Sequence, residues 1–151
     1  AFTGLGTPYW QSQVRGACFG LTRGSDRRHF CRAVLEAIAY QSRDLIEAMS
    51  NDSGIELKNL KVDGGGTNNQ FLMQFQSDLL DIEIHKPESV ESSVYGAATL
   101  AGLGCGLWNK EELMKNERIE IYRPKEEKQS MDRLYRQWQK AVQAAILFSK
   151  E

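Results

Sequence analysis

The chain has 151 residues, 41% of them hydrophobic and 26% charged, with a formal net charge of −1. That is enough length for one domain with a sizeable core, and the near-neutral charge excludes a bulk attraction to nucleic acid or anionic membrane. No apolar run approaches the roughly 20 residues that cross a bilayer. The opening Ala1-Phe2-Thr3-Gly4-Leu5-Gly6 lacks the pattern of a signal peptide. We therefore expect a cytoplasmic protein with no membrane span and no nucleic-acid partner. The absence of a starting Met suggests a segment of a longer polypeptide.

Residues 1–16 carry Gly4, Gly6, Pro8 and Gly16 around Tyr9 and Trp10, which predicts an ordered loop anchored by its aromatics. Ala17–Thr22 reads as a short strand, and Asp26 as the cap of a long helix. Phe30, Val34, Ile38, Gln41, Leu45 and Met49 recur at helical spacing, and Gly54 supplies the stop. Leu60-Lys61-Val62 predicts a brief strand, followed by a glycine turn and a helix striped by Phe71, Phe75 and Leu79. Ile82–Lys86 alternates as a strand and ends at Pro87. Residues 92–107 are rich in Gly and Ala, which predicts a helix packed closely against a neighbour. Residues 109–133 read as a charged, solvated connector holding a short strand, Ile119–Tyr122. A final amphipathic helix follows, with Met131, Leu134, Trp138, Ala141, Ala145 and Phe148 on its apolar face. Alternating strands and helices point to an α/β layered domain with a mixed sheet and packed helices.

Three cysteines at wide spacing, Cys18, Cys31 and Cys105, suggest buried free thiols and neither a disulfide framework nor a metal site. His29 falls at a helix start and His85 on a strand, and neither has the surroundings of a catalytic base or ligand. Arg15, Arg23, Arg27, Arg28 and Arg32 form either a phosphate patch or, as we read them, a solvated helix start. Trp10, Trp108 and Trp138 are expected to anchor core and loops.

The stretch that carries chemistry is Val62-Asp63-Gly64-Gly65-Gly66-Thr67-Asn68-Asn69. Glycines between a strand and a helix permit positive φ and let a ligand lie on bare backbone. The following helix turns its free N–H groups and positive dipole end toward the same space, a combination that suits nucleotides. Asn69 can donate and accept hydrogen bonds to an adenine or ribose edge. The competing reading is a structural turn in which Asn68 or Asn69 only caps the helix. The stretch is neither a Walker A loop nor GxGxxG. Asp63 reads equally as turn residue, solvated charge or base.

Several blocks resemble glycerol kinases, members of the carbohydrate kinase family with the actin and hexokinase type of ATPase fold. They are Ala1–Trp10, Arg15-Gly16-Ala17, Phe19–Gly24, Leu35–Gln41, Val62–Gly65, Phe71–Gln76 and Tyr95–Ala98. The resemblance implies a partial ribonuclease H-like domain, with residues 1–151 forming the C-terminal, nucleotide-binding portion of a kinase whose N-terminal domain lies upstream. It implies that Gly65 lies against ATP or ADP and that Asn69 contacts the adenosine, with Gly64 and Gly66 shaping the turn. Gly66–Gln70 departs from the common Ala-Val-Ala-Asn-Asn run, which leaves Asn68 as a rival to Asn69. The family's glycerol-binding residues, catalytic aspartate and phosphate loops precede these blocks. The resemblance thus assigns no catalytic residue and no intrinsic metal here. MgATP and glycerol become substrates of the parent enzyme, which we expect to be a homo-oligomer, and the segment alone is expected to be inactive.

Overall fold

The computed structural model describes residues 1–88, 91–109 and 118–150. Helix α1 spans Arg27–Ser53. Asp26 caps it by accepting from the N–H groups of Arg28 and His29, while the His29 ring reaches back to the Asp26 N–H. Gly54, at φ 68°, ends it in the left-handed conformation. Strand β1 (Asn59–Lys61) then leads through a turn of 3-10 helix (Gly65–Asn68) into α2 (Gln70–Leu80) and β2 (Glu83–Pro87). Helix α3 covers Ser92–Gly104, β3 Ile119–Tyr122 and α4 Lys128–Phe148.

The sheet has the order β1-β2-β3, with β1 parallel to β2 and β2 antiparallel to β3. Leu60, Ile84 and Tyr122 stand in one register row, and this row turns toward α2. The core is built from Ala39 and Tyr40 of α1, Leu72, Met73, Phe75 and Leu79 of α2, Ile84 of β2, and Met131 and Tyr135 of α4. Tyr40 is its hub, with its ring 5.6 Å from Phe75 edge-on and 5.5 Å from Trp138 in a stack. Such aromatic contacts add about 0.5–1.5 kcal/mol each beyond area burial. Val14, Val142 and Ile146 form a smaller cluster that holds the N-terminal loop on α4. The mixed α/β layering is the expected actin and hexokinase type.

Polar side chains lock α2 to the sheet. The fully buried Ser77 hydroxyl serves the carbonyls of Ile82 at 2.8 Å and Tyr122 at 3.1 Å. Asp78 accepts from Lys125 N–H at 2.7 Å, and Gln74 donates to the Arg123 carbonyl at 2.8 Å. These bonds tie α2 to the backbone at the start of β2, at the end of β3 and just beyond β3.

Several expectations change. Ala17–Thr22 forms no strand and is exposed, because no described strand offers it a ladder. The α1 stripe is helical as expected, yet Phe30, Val34, Ile38, Leu45 and Met49 lie on the exposed side, while Ala39, Tyr40 and Asp44 face the core. The close packing expected of the small residues in α3 is met only at Gly102. There an added Cβ would run into the Trp108 ring, a side chain just beyond the helix and not a neighbouring helix. Cys18, Cys31 and Cys105 are free but exposed, against the expected burial, since they ride on these uncovered segments. Trp10 is exposed and Phe148 lies outside the α4 core face, whereas Trp138 is the anchor it was expected to be. Part of the expected connector, 110–117, lies outside the described residues.

Candidate functional site

The glycine turn sits at the carboxyl end of β1 and at the amino end of α2. Val62 N–H still bonds the His85 carbonyl at 3.0 Å, so the turn starts from a backbone pinned to the sheet. Gly64 has φ 88° and ψ 165°, a conformation reserved for glycine. Its carbonyl accepts from Thr67 twice, from the N–H at 3.0 Å and from the hydroxyl at 2.7 Å, and Thr67 is the one buried side chain of the turn. Thr67 thus bolts the loop from inside and leaves its outer surface bare. At Gly65 and Gly66 an added Cβ would meet nothing within 4 Å. Both glycines therefore present open backbone that the protein itself does not cover.

Asn69 is exposed and caps α2, its side-chain oxygen accepting from Leu72 N–H at 3.0 Å. The capping role and a ligand role are compatible in this geometry. The cap uses the amide oxygen, and the two N–H donors stay on the solvent side with the helix dipole behind them. Asn68 is also exposed and closes the 3-10 turn. The structure thus brings Gly64, Gly65, Gly66, Asn68 and Asn69 onto one short connection.

One neighbour was not expected. Arg32 of α1 lies over the Phe71 ring at 5.3 Å, held by a 2.6 Å bond to Glu36, and Phe71 stacks on Phe75. A cation is therefore placed beside the start of α2. Two other arginines of the suggested patch are tied elsewhere: Arg15 bonds the Ser12 and Val14 carbonyls, and Arg28 pairs with Asp26. Nothing in the local sequence distinguishes Arg32 from them, because its placement depends on how α1 crosses α2.

A second polar constellation lies at the other end of α2. Arg43 bonds Glu47 and Asp132 at 2.7 Å each and the Leu79 carbonyl at 3.2 Å, with its guanidinium 4.2 Å from the Tyr135 ring centre. Burial alone would lower the pKa of Arg43, but its bonds to Glu47 and Asp132 more than offset this. The adjacent Asp44 is buried and accepts the Tyr135 hydroxyl through Oδ1. Burial pushes the Asp44 carboxyl above its ordinary pKa, and the Tyr135 bond only partly opposes that. The phenols of Tyr9 and Tyr135 are raised, first by burial and then by Asp44. The sequence signal for this cluster was a polar residue four positions after Tyr40 on the face opposite the apolar stripe. Among the described residues no group of three or more His, Cys, Asp or Glu is placed to hold a metal ion, and no helix is long and apolar enough to cross a membrane.

Residues 1–105 match the C-terminal domain of the FGGY family of carbohydrate kinases, and the chain belongs to that family. Among solved structures it is similar to a glycerol kinase from Plasmodium falciparum crystallised with ADP, at 34% identity and a TM-score of 0.82. The match covers 96% of this chain and 29% of that one. A xylulose kinase from Rhodospirillum rubrum is similar at 26% identity and a TM-score of 0.70, over 91% of this chain and 29% of its own length. A gluconate kinase from Lactobacillus acidophilus shares the fold at 24% identity and a TM-score of 0.63, over 88% and 28%. The chain thus spans less than a third of the length of these kinases.

Proposed function

We propose that this chain is the adenosine-binding portion of an ATP-dependent glycerol kinase, as the resemblance implies, acting in the cytoplasm. The observation that carries the reading is the bare, Thr67-braced backbone of Gly64–Gly66 at the head of α2. The choice of glycerol over another polyol rests on the 34% identity to the glycerol kinase. In this reading Gly65 gives the nucleotide van der Waals contact, the Asn69 amide donates to the adenosine, and the α2 dipole adds a favourable field. Asn68 is the alternative donor. The γ-phosphoryl group, the attacking hydroxyl and the base would be brought together by parts of the enzyme outside these residues, since phosphoryl transfer is chiefly positioning and charge stabilisation.

Calorimetric titration of the full-length protein with ATP tests the site. Gly65→Val is expected to weaken binding by about tenfold or more while the fold persists, because the added side chain enters open space. Asn69→Ala is expected to weaken it severalfold, and Asn68→Ala to leave it unchanged. Unaltered affinity in both Gly65→Val and Asn69→Ala would refute the assignment. The 151-residue chain alone is expected to show no glycerol phosphorylation in a coupled ADP-release assay.

A second reading is favoured by the exposed apolar stripe of α1, from Phe30 to Met49. Such a surface suits association, either with the remainder of a kinase or between copies of the chain. Light scattering separates the two readings: an isolated chain that binds ADP as a monomer supports the kinase portion, and an ADP-inert dimer supports an interaction module.

A further inference from the structure

The conformation of the glycine turn rests on one side chain. Gly64, at φ 88° and ψ 165°, opens a turn whose next two residues, Gly65 and Gly66, have no side chains to hold it in place. Successive glycines carry more backbone freedom than any other residues, so an unsupported turn here would sample many conformations. Thr67 removes that freedom. It is 5% exposed and directs two donors at one acceptor, the Gly64 carbonyl: its N–H at 3.0 Å and its hydroxyl at 2.7 Å. The backbone bond is that of a 3-10 turn and does not depend on the side chain at position 67. The hydroxyl bond does.

Peptide geometry converts this bond into an orientation. In a planar trans peptide the C=O and the N–H point in opposite directions. The Gly64 carbonyl and the Gly65 N–H belong to one such unit. Holding the oxygen on the buried Thr67 therefore aims the Gly65 N–H away from Thr67. Both lone pairs of the Gly64 carbonyl are engaged by the two Thr67 donors, and the Gly66 carbonyl accepts from the Asn69 N–H at 3.2 Å. The N–H groups of Gly65 and Gly66 make no hydrogen bond among the described residues. The turn thus withholds acceptors and offers donors, and successive free N–H groups suit the oxygen atoms of a ligand.

We propose that Thr67 is a positioning residue for the nucleotide, its hydroxyl acting through the Gly64–Gly65 peptide to aim the Gly65 N–H at an oxygen atom of the ligand. This role rests on the assignment of Gly65 to ATP or ADP. Thr67 is buried and acts through its neighbours, so its contribution is preorganisation. With the hydroxyl in place the peptide is already oriented when the nucleotide arrives. Without it, the cost of ordering the turn falls on binding.

The test compares Thr67→Val and Thr67→Ser in the full-length protein, by calorimetric titration with ADP and by steady-state kinetics. Valine keeps the branched shape and removes the donor, whereas serine keeps the donor. Thr67→Val is expected to weaken ADP binding and raise the KM for ATP by about three- to tenfold, the range of one neutral hydrogen bond, with kcat and the KM for glycerol unchanged. Thr67→Ser should bind ADP as the wild type does. A merely structural role would lower the unfolding midpoint of Thr67→Val but leave ADP affinity and KM as they were, and that result overturns the proposal. An equal loss of affinity in Thr67→Ser and Thr67→Val overturns it too, since the hydroxyl would then not be the cause. Should Thr67→Val fail to fold, Thr67→Cys takes its place with the same outcomes, because a thiol is a weak donor. Gly65→Val separates this role from the site itself. Affinity lost in Gly65→Val but kept in Thr67→Val refutes the positioning role alone, and affinity kept in both refutes the site with it.

Discussion

Helices α2 and α3 are of similar length, 11 and 13 residues, and both are apolar, yet they have opposite surroundings. Seven residues of α2 are buried, from Leu72 to Leu79, whereas Gly102 is the buried residue of α3. Val94, Tyr95 and Leu100 of α3 are exposed at 66%, 56% and 71%. The difference lies in connection. Helix α2 joins two neighbouring parallel strands, so the chain path lays it across them. Its Gln74, Ser77 and Asp78 then bond the backbone of the strand segments. Helix α3 has no such tie to the described sheet. Apolar composition makes a helix ready for burial, but topology decides whether a surface arrives to bury it.

The comparison can be broken most sharply in the core. Phe75→Ala should cost about 3–5 kcal/mol, because its ring packs against Tyr40 and Phe71 and the cavity cannot collapse. Urea denaturation measures this, and a loss below about 1 kcal/mol would mean that α2 is not the core helix. Ser77→Ala should cost about 1–3 kcal/mol, since two half-buried carbonyls lose the donor that the fully buried Ser77 supplies. Asn69→Ala should cost about 1 kcal/mol through the lost cap of α2, in addition to its effect on ATP affinity. Leu100→Ala in α3 should change stability by no more than about 0.5 kcal/mol, as expected of an exposed position. A larger loss would show that α3 is covered in the full-length protein.

A pH experiment sharpens the same contrast in the polar part of the core. The Asp44 carboxyl is raised above its ordinary value of 3.8 by burial. The folded state therefore holds this proton more tightly than the unfolded state. Its contribution to stability is fully present below the unfolded value, falls as pH rises from there through the raised folded pKa, and is flat above it. The stability difference between wild type and Asp44→Asn should follow that course in denaturation curves taken from acid to neutral pH. An acidic substitution on the exposed face of α3 should show no such course.

Much of the fold was legible because its signals are local. Asp26 and Gly54 bound α1 by satisfying or relaxing the backbone of their own neighbours, and Pro87 closes β2 where the sequence alternation ends. The short strand Ile119–Tyr122 was visible inside a charged stretch through its own alternation. The candidate turn was legible for the same reason, since positive φ at Gly64 and capping by Asn69 are decided within six residues. What failed were statements about surroundings. The strand expected at Ala17–Thr22 needs a partner ladder, and the burial expected of the three cysteines needs a covering element. The Arg32 contact on Phe71 and the Tyr135 bond to Asp44 join residues 39 or more positions apart.

By itself, then, the sequence determined the order and type of most elements, the glycine turn at the head of α2 and the resemblance to a kinase family. Those features follow from backbone conformation, capping and periodicity, which act over one or two turns of chain. Tertiary structure alone decided which face of α1 is covered, that Tyr40 becomes the aromatic hub, and that Asp44 meets Tyr135 across 91 positions of sequence. The physical reason is range. Hydrophobic burial and desolvation depend on everything that approaches a group in space, and no local pattern reports what will approach.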